Sequence, residues 1–424
     1  MTAPTILAST DVYPASPEGA NHPGACVLTD DTVLIAWEAA GTLTLTHYTR
    51  DLSLLGQTTT TPGSTDVRGV ALFARPDGTA TLTHAGQTWH VTINPLTLTP
   101  GPAAPTTIQY GSGYSSMLTL GDTTLLTADT EIIAHRDGTI TRHPIAGGAE
   151  FTTALHPTGD GRAWVSTSAW PTTTLHTLDP TTGASSAVET TTQHEDEFAG
   201  VHVGPGRYAQ LNLDSTLTLR DAAGALLTSA PWPGQTPGST WQGTAVGSVT
   251  LDDGTVLAAL HWDDTTTRHG GTGLARITRD TITATDLHPP TLGLQGAGGS
   301  QSPVVARGAR TAVIVHHNVL DATWTGAPES LYAVTAWTVD LGGRHAQLRV
   351  GLVQGDGHPW SSRLVGDESW EHGPGRMKIG TPASPSGWAM EVKPGDDTTG
   401  ATWVRLDLPD GRAAAFRVIP WPGR

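Results

Sequence analysis

Two histidine groups and one acidic run are the segments of this 424-residue chain best suited by type and spacing to chemistry. His194, Glu195, Asp196 and Glu197 are contiguous. Such a run could hold a divalent cation or supply the paired carboxylates of acid/base catalysis. In an extended segment, however, adjacent side chains point in alternating directions, so contiguous acids read more simply as a solvated loop. His261-Trp262-Asp263 and His316-His317 could contribute metal ligands. Neither has the HExxH spacing that sets two histidines on one helical face, and no Gly-rich phosphate loop, nucleophile elbow or zinc-ribbon spacing occurs. The sequence therefore implies no cofactor and assigns no metal site.

The elements that must position these residues are strands. A pair of apolar segments joined by a Gly/Asp-rich turn recurs seven times. The copies are ACVLTDDTVLIAW from Ala25, VALFARPDGTATLTH from Val70, MLTLGDTTLLTA from Met117 and ALHPTGDGRAWVS from Ala154, then VHVGPGRYAQL from Val201, AVGSVTLDDGTVLAAL from Ala245 and VVARGARTAVIV from Val304. A third alternating run follows most of them, such as TLTLTHY from Thr42 and LYAVTAWTVD from Leu331, and a weaker fourth usually follows that. Successive copies start roughly 40 to 57 residues apart, close to the spacing of four-stranded propeller blades. A string of β-sandwiches also shows short strands and frequent turns, but it need not repeat one hairpin at a steady offset. The pattern predicts an all-β chain, a β-propeller of about seven, or eight, four-stranded blades over residues 1–355. Residues 356–424 contain GWAMEVKPG, ATWVRLDLPDG and AAAFRVIPWP, and predict either an appended β module or an eighth blade whose outer edge is completed by the N-terminal TILASTDVYP.

Composition agrees with strands and turns: Gly is present 50 times, Pro 30 times, and only 37% of residues are apolar. Lys and Arg number 23 against 39 Asp and Glu, a formal charge of −16, which argues against nucleic acid and anionic membrane as partners. No run approaches the length of a membrane span, and the N-terminus has neither the basic start nor the apolar run of a secretory signal. The single cysteine, Cys26, excludes an intrachain disulfide and reads as a small core residue.

In a propeller the segments leading into the first strands gather at one mouth of the ring. They are NHPGACV, TDVRGVA, SGYSSML, GAEFTTA, DEFAGVH, STWQGTA and GSQSPVV. They bring to that mouth His22, Asp66, Arg68, Tyr114, Glu150, Phe151, Glu197, Phe198, Trp241, Gln242 and Gln301. Aromatic faces beside carboxylates and amides suit a sugar or another small ligand, and they equally suit wedges between blades. The longest loops, from His261 and His316, are expected at the same mouth, so His261, Asp263, His316 and His317 join the candidate ligand-binding set.

The hairpins HPGACVLTDDTVLIAW and SQSPVVARGARTAVIVHH resemble the repeat of sialidase-type propellers, in which a small residue or Pro opens the first strand and a DG-like turn follows. The resemblance implies a propeller over about residues 20–355. DDTTGATW from Asp396 approaches the family's Asp-box, with Thr398 where its Asp should stand, and FRVIP at Phe416 is close to the family's Phe-Arg-Ile-Pro element but at the other end of the chain. The family uses three arginines, a Tyr/Glu nucleophile pair and an acidic acid/base. Arg68 is the one arginine among the mouth residues, and Tyr114 with Glu150 or Glu197 would be the nearest pair. The resemblance thus implies the fold, and no catalytic residue is carried over.

Function is expected to be non-enzymatic recognition of a glycan or protein at this mouth, in the setting of a larger assembly such as a phage tail or virion. An alternative is a glycoside-active hydrolase or lyase using two carboxylates from Glu150, Glu195, Asp196, Glu197 and Asp263. Another is an assembly scaffold working through its rim or the C-terminal tryptophans Trp360, Trp370, Trp388 and Trp421.

Overall fold

The computed structural model describes residues 5–16, 23–62, 69–103, 114–128, 131–145, 151–158, 160–169, 171–192, 197–212, 216–221, 223–231, 245–251, 254–264, 267–292, 294–296, 303–308, 310–320, 323, 329–341, 349–350, 363–364, 376–377, 389–394, 402–407 and 413–418. The chain divides into two compact units, Met1–Leu341 and Gly342–Arg424.

Among the described residues the first unit is a β-propeller of seven blades, each built on four antiparallel strands, with a short fifth strand in blade 7. An N-terminal strand, β1 (Thr5–Ser16), precedes them. Blade 1 is β2 (Gly24–Val27), β3 (Val33–Ala39), β4 (Thr42–Tyr48) and β5 (Leu54–Thr60); blade 2 is β6 (Ala71–Ala74), β7 (Ala80–His84), β8 (Gln87–Thr92) and β9 (Thr97–Pro100). Blade 3 is β10 (Tyr114–Leu120), β11 (Thr123–Ala128), β12 (Glu131–Arg136) and β13 (Thr139–Pro144); blade 4 is β14 (Phe151–Pro157), β15 (Ala163–Ala169), β16 (Thr172–Leu178) and β17 (Ser185–Thr192). Blade 5 is β18 (Glu197–His202), β19 (Arg207–Asn212), β20 (Thr216–Asp221) and β21 (Leu226–Pro231); blade 6 is β22 (Ala245–Thr250), β23 (Val256–Asp264), β24 (His269–Ile277) and β25 (Ile282–Leu292). A short β26 (Leu294–Gly296) leads to β27 (Val304–Arg307), β28 (Thr311–Leu320) and β29 (Leu331–Asp340) of blade 7.

The fourth strand of blade 7 is β1, which pairs antiparallel with β29 from Thr5↔Asp340 to Ser16↔Tyr332. The N-terminal strand therefore completes the seventh blade, not the edge of an eighth. Two ion pairs at the same closure join blades 1 and 7. Asp31, buried, accepts from the Arg310 Nε at 2.9 Å, and Arg50 lies 3.8 Å from Asp340. At the axis the first strands of blades 3 and 6, β10 and β22, pair in parallel from Tyr114↔Val246 to Met117↔Val249. Backbone hydrogen bonds thus cross the middle of the ring, where the repeat alone would suggest an open channel.

Inner strands are buried on both faces, and this explains the chain's threonines. In TLTLTHY, Leu43 and Leu45 face blade 2, in a cluster with Leu72, Leu82 and Trp89, while Thr44 and Thr46 occupy the other face and are buried too. Thr is β-branched, so it favours a strand, and its hydroxyl brings its own donor: Thr46 Oγ1 donates to the Ile35 carbonyl at 3.0 Å and Thr167 Oγ1 to the Thr174 carbonyl at 3.2 Å. Outer strands show the alternation of a half-exposed edge, as in β5. Cys26 lies in the blade 1–2 core, where burial raises its thiol pKa far above the usual range.

The second unit contains β30 (Arg349–Val350) paired with β31 (Arg363–Leu364), and a four-stranded sheet of β32 (Arg376–Met377), β33 (Ala389–Pro394), β34 (Thr402–Asp407) and β35 (Ala413–Val418). Its last three strands fall in the three apolar runs read from the sequence.

Gly24, at the start of the innermost strand of blade 1, sets the approach of blade 2. A Cβ at that position would run into the Val70 carbonyl oxygen and crowd the Ala71 Cα, both backbone atoms that cannot swing aside. Gly24→Ala is expected to cost about 2–3 kcal/mol, measured as a lower midpoint in thermal or urea unfolding of the full chain.

Candidate functional site

The two rims of the ring are built differently. One rim carries the turns between first and second strands and between third and fourth strands, and these are short and internally hydrogen-bonded. Asp30 and Asp77 each accept from a Thr two residues on, with Thr32 Oγ1 at 2.7 Å and Thr79 Oγ1 at 2.6 Å. Asp51 and Asp160 are capped in the same manner by Thr49 and Thr158, and Asp179 by the amides of Thr181 and Thr182. Such Asx and hydroxyl turns close a loop without help from other segments. The hydrogen bonds hold the carboxyls of Asp51, Asp77, Asp160 and Asp179 below the ordinary carboxylate value. Arg136 with Asp122, and Arg207 with the Arg279 carbonyl, stitch the same rim.

The opposite rim receives the links from one blade to the next and the turns between second and third strands. Between β9 and β10, between β21 and β22, and between β28 and β29 these connections are long. This is the rim to which the strand-one segments lead.

The seam between blades 6 and 7 changes character along its length. Toward the tight-turn rim it is apolar, with Leu257, Ala259 and Leu274 of blade 6 against Ala312, Ile314 and Trp337 of blade 7. Toward the linker rim the same strand faces turn polar. Along β28 the alternation that sends Ala312 and Ile314 to blade 6 sends His316 and Asn318 there next. His261 of β23 meets His316 with ring centroids 4.5 Å apart, and both are buried, at 2% and 1% exposure.

A directed chain of hydrogen bonds fixes the state of His316. The Asp11 carboxylate, on β1, can only accept, so the Thr335 hydroxyl donates to it at 3.0 Å. Thr335 Oγ1 then accepts from Asn318 Nδ2 at 2.7 Å, which orients the amide with Oδ1 toward His316 Nδ1, 2.7 Å away. Nδ1 therefore carries the proton, and in the neutral ring Nε2 carries the lone pair. A histidine so fixed can accept a hydrogen bond, move a proton or bind a metal at Nε2. Among the described residues, no group of three or more His, Cys, Asp or Glu is arranged to hold a metal ion.

Of the residues singled out in the sequence, the structure brings His261 and His316 together. His317 is also buried but belongs to the other face of β28, toward blade 1. Tyr114, Glu197 and Asp263 lie in β10, β18 and β23, where their backbone pairing is described: Tyr114 with Val246, Glu197 with Asn212 and Asp263 with Gly270. His22, Arg68, Glu150, Trp241, Gln242 and Gln301 lie outside the described residues, as do His194, Glu195 and Asp196. Sequence reasoning missed Asp11, Thr335 and Asn318. The signal was present for Asn318, which shares strand parity with His316 in TAVIVHHNVL; the pairing of Thr335 with Asp11 spans the length of the ring and has no local trace.

No protein-family model and no curated protein matches this chain. Solved structures of similar fold include a catalytically inactive virginiamycin B lyase from Staphylococcus aureus with quinupristin, 12% identical, covering 77% of this chain and 98% of the other at a TM-score of 0.42. BBS1N in complex with ARL6DN is 11% identical, covering 77% and 96%, TM-score 0.40. BamB from Moraxella catarrhalis is 13% identical, covering 79% and 99%, TM-score 0.35. These neighbours include an enzyme and a protein bound to a partner, and none carries a function to this chain.

Thr335→Val removes the acceptor for Asn318 and leaves a buried amide N–H unmatched, so it should cost about 1–3 kcal/mol. It should also loosen the tautomer of His316. Nitrogen-15 NMR of the imidazoles reads the second effect: a single Nδ1-protonated state in the wild type, and a mixture in the variant.

Proposed function

We propose that the ring is a non-enzymatic recognition module that takes its ligand at the linker rim, and that the ligand is a glycan. One observation carries this reading, the contrast between the rims. Turns that close on their own hydrogen bonds need little from a ligand, whereas long connections held on a rigid ring are free to specialise for binding. In the sequence, the segments that link one blade to the next contain Trp241, Gln242, Glu150, Arg68 and Gln301, and the first strands begin with Tyr114 and Glu197. Aromatic faces for the apolar side of a sugar, with amides and charges for its hydroxyls, are the chemistry a glycan requires. The polar end of the blade 6–7 seam supports the same rim from beneath. A chain of hydrogen-bonded buried polar groups rigidifies its surroundings at some expense in stability relative to apolar packing, a trade suited to a surface that must hold one shape.

The sialidase-type character of the repeat fits a sugar-binding ancestry without its catalytic set. The Thr- and Gly-rich all-β composition fits a role within a larger assembly of the tail or virion kind, with a protein partner on the remaining surface.

A glycan array probed with the full chain and with a folded Trp241→Ala, Glu197→Gln double variant tests the proposal. Binding by the wild type that falls at least about tenfold in the variant, a difference of roughly 1.4 kcal/mol, is the expected result. A wild type that binds no glycan, or a variant that binds as well, overturns it. Product analysis on any bound glycan separates recognition from cleavage, since released fragments would make the chain an enzyme.

A further inference from the structure

Among the described residues every blade seam but one carries an apolar cluster. Described apolar clusters join blades 1 and 2, 3 and 4, 5 and 6, and 6 and 7, while a further cluster joins blade 1 to blade 7 and includes Phe73 of blade 2 with Met117 and Ile133 of blade 3. Among the described residues no such cluster spans blades 4 and 5. The reason lies in the alternation of β19 and β20: Ala209, Leu217 and Leu219 join the core with blade 6, which leaves Tyr208, Gln210 and Thr218 on the face toward blade 4.

That seam is held by hydrogen bonds. Thr173 Oγ1 lies 3.1 Å from the Tyr208 hydroxyl, the His202 amide donates to Ser166 Oγ at 3.4 Å, and the Gly206 amide donates to Glu189 Oε2 at 2.9 Å. Two buried histidines stand among them. His202 Nε2 lies 3.5 Å from the Thr173 carbonyl, which can only accept, so the proton sits on Nε2 and the buried Nδ1 has no protein partner. His156 Nδ1 lies 3.0 Å from Thr250 Oγ1, whose own proton goes to the Leu155 carbonyl at 2.6 Å, so Nδ1 donates and the buried Nε2 is bare. Each ring is therefore seated as the neutral form with its second nitrogen buried and unpartnered, and the His202 backbone beside His156 and the Glu189 carboxylate beside His202 offset only part of the penalty that burial places on a charge.

We propose that this seam is the acid-labile joint of the ring, where protonation of His156 and His202 parts blade 4 from blade 5 while the apolar seams stay closed. Burial decides the sign, and the surrounding charges modify it. Glu189 faces His202 from β17 and favours its cation, but burial outweighs it, and the two histidines repel each other when charged. Arg307, with Nη1 3.1 Å from the Thr250 carbonyl, brings positive charge from blade 7, and Arg220, bonded to Gln210, brings it from β20. Burial holds His156 down to about 4 from the ordinary 6.5 and pushes His202 in the same direction. A histidine whose pKa is lowered by folding contributes stability that is complete above the unfolded value and is lost as pH falls from 6.5 toward 4. His135 is lowered as far, but it stacks on Phe73 at 4.8 Å within an apolar seam that must itself come apart before water reaches the ring.

Hydrogen exchange of the full chain at pH 7.5 and pH 5, corrected for the intrinsic pH dependence of amide exchange, tests the proposal. In β14 to β16 and in β18 and β19 exchange should accelerate about tenfold or more at pH 5, a loss of roughly 1.4 kcal/mol of local protection, while β2 to β4 and β6 to β8 change little. Uniform acceleration across all blades, or none at this seam, overturns it. His202→Gln keeps a side-chain N–H for the Thr173 carbonyl and cannot charge. It should cut the acceleration at the seam at least threefold, and an unchanged pH response in the folded variant also overturns the proposal. If the variant does not fold, the wild-type comparison of seams still decides.

Discussion

The structure depends on one pairing between segments at opposite ends of the first unit. A blade is a small sheet with two faces to bury, and it has no means of burying both alone. Seven of them solve this by covering one another around a ring, which works only if the last blade is complete when it meets the first. Here β1 supplies that completion by pairing with β29, and Asp31 and Arg310 clasp the same closure from the tight-turn rim. The long-range pairing carries a kinetic consequence as well: blade 7 lacks its outer strand until the chain's beginning has come back to it.

Burial on both faces sets the side-chain chemistry. A sheet exposed on one side can alternate apolar and charged residues, but an inner propeller strand needs residues that tolerate burial everywhere. This chain meets the need with Leu, Val, Ile and Ala on one parity and frequently Thr or His on the other. Each of these polar groups is tolerable only while something nearby accepts or donates to it. The pairs His47 with Thr32, His135 with Thr81 and His176 with Thr167, with separations of 2.9, 3.0 and 3.1 Å, are repeated uses of one device. The cost is that such rings are seated neutral, and burial lowers the pKa of each.

The same polar parity gives the ring its differences from blade to blade. At the blade 6–7 seam it ends in a directed chain from Asp11 to His316 beneath the linker rim, and at the blade 4–5 seam, among the described residues, it stands where the other seams have an apolar cluster. The first fits a rim held in one shape for recognition. The second fits a joint weaker than its neighbours.

The sequence alone determined the strands, because the hairpins repeat and their apolar residues alternate with period two, both local properties. It also determined that Cys26 is a core residue and that residues 389–418 form further strands. It could not determine which strand completes the last blade, since TILASTDVYP has the same alternation whether it lies in a seventh or an eighth, and only pairing with Leu331–Asp340 decides. Nor could it place His261 against His316. Parity tells which face of its own strand a side chain occupies, but which blade lies opposite, and which polar group waits there, is a property of the closed ring. For the same reason Asn318 was within reach of sequence reasoning while Asp11 was not: one is two residues from His316, and the other is brought to it only by the strand that closes the circle.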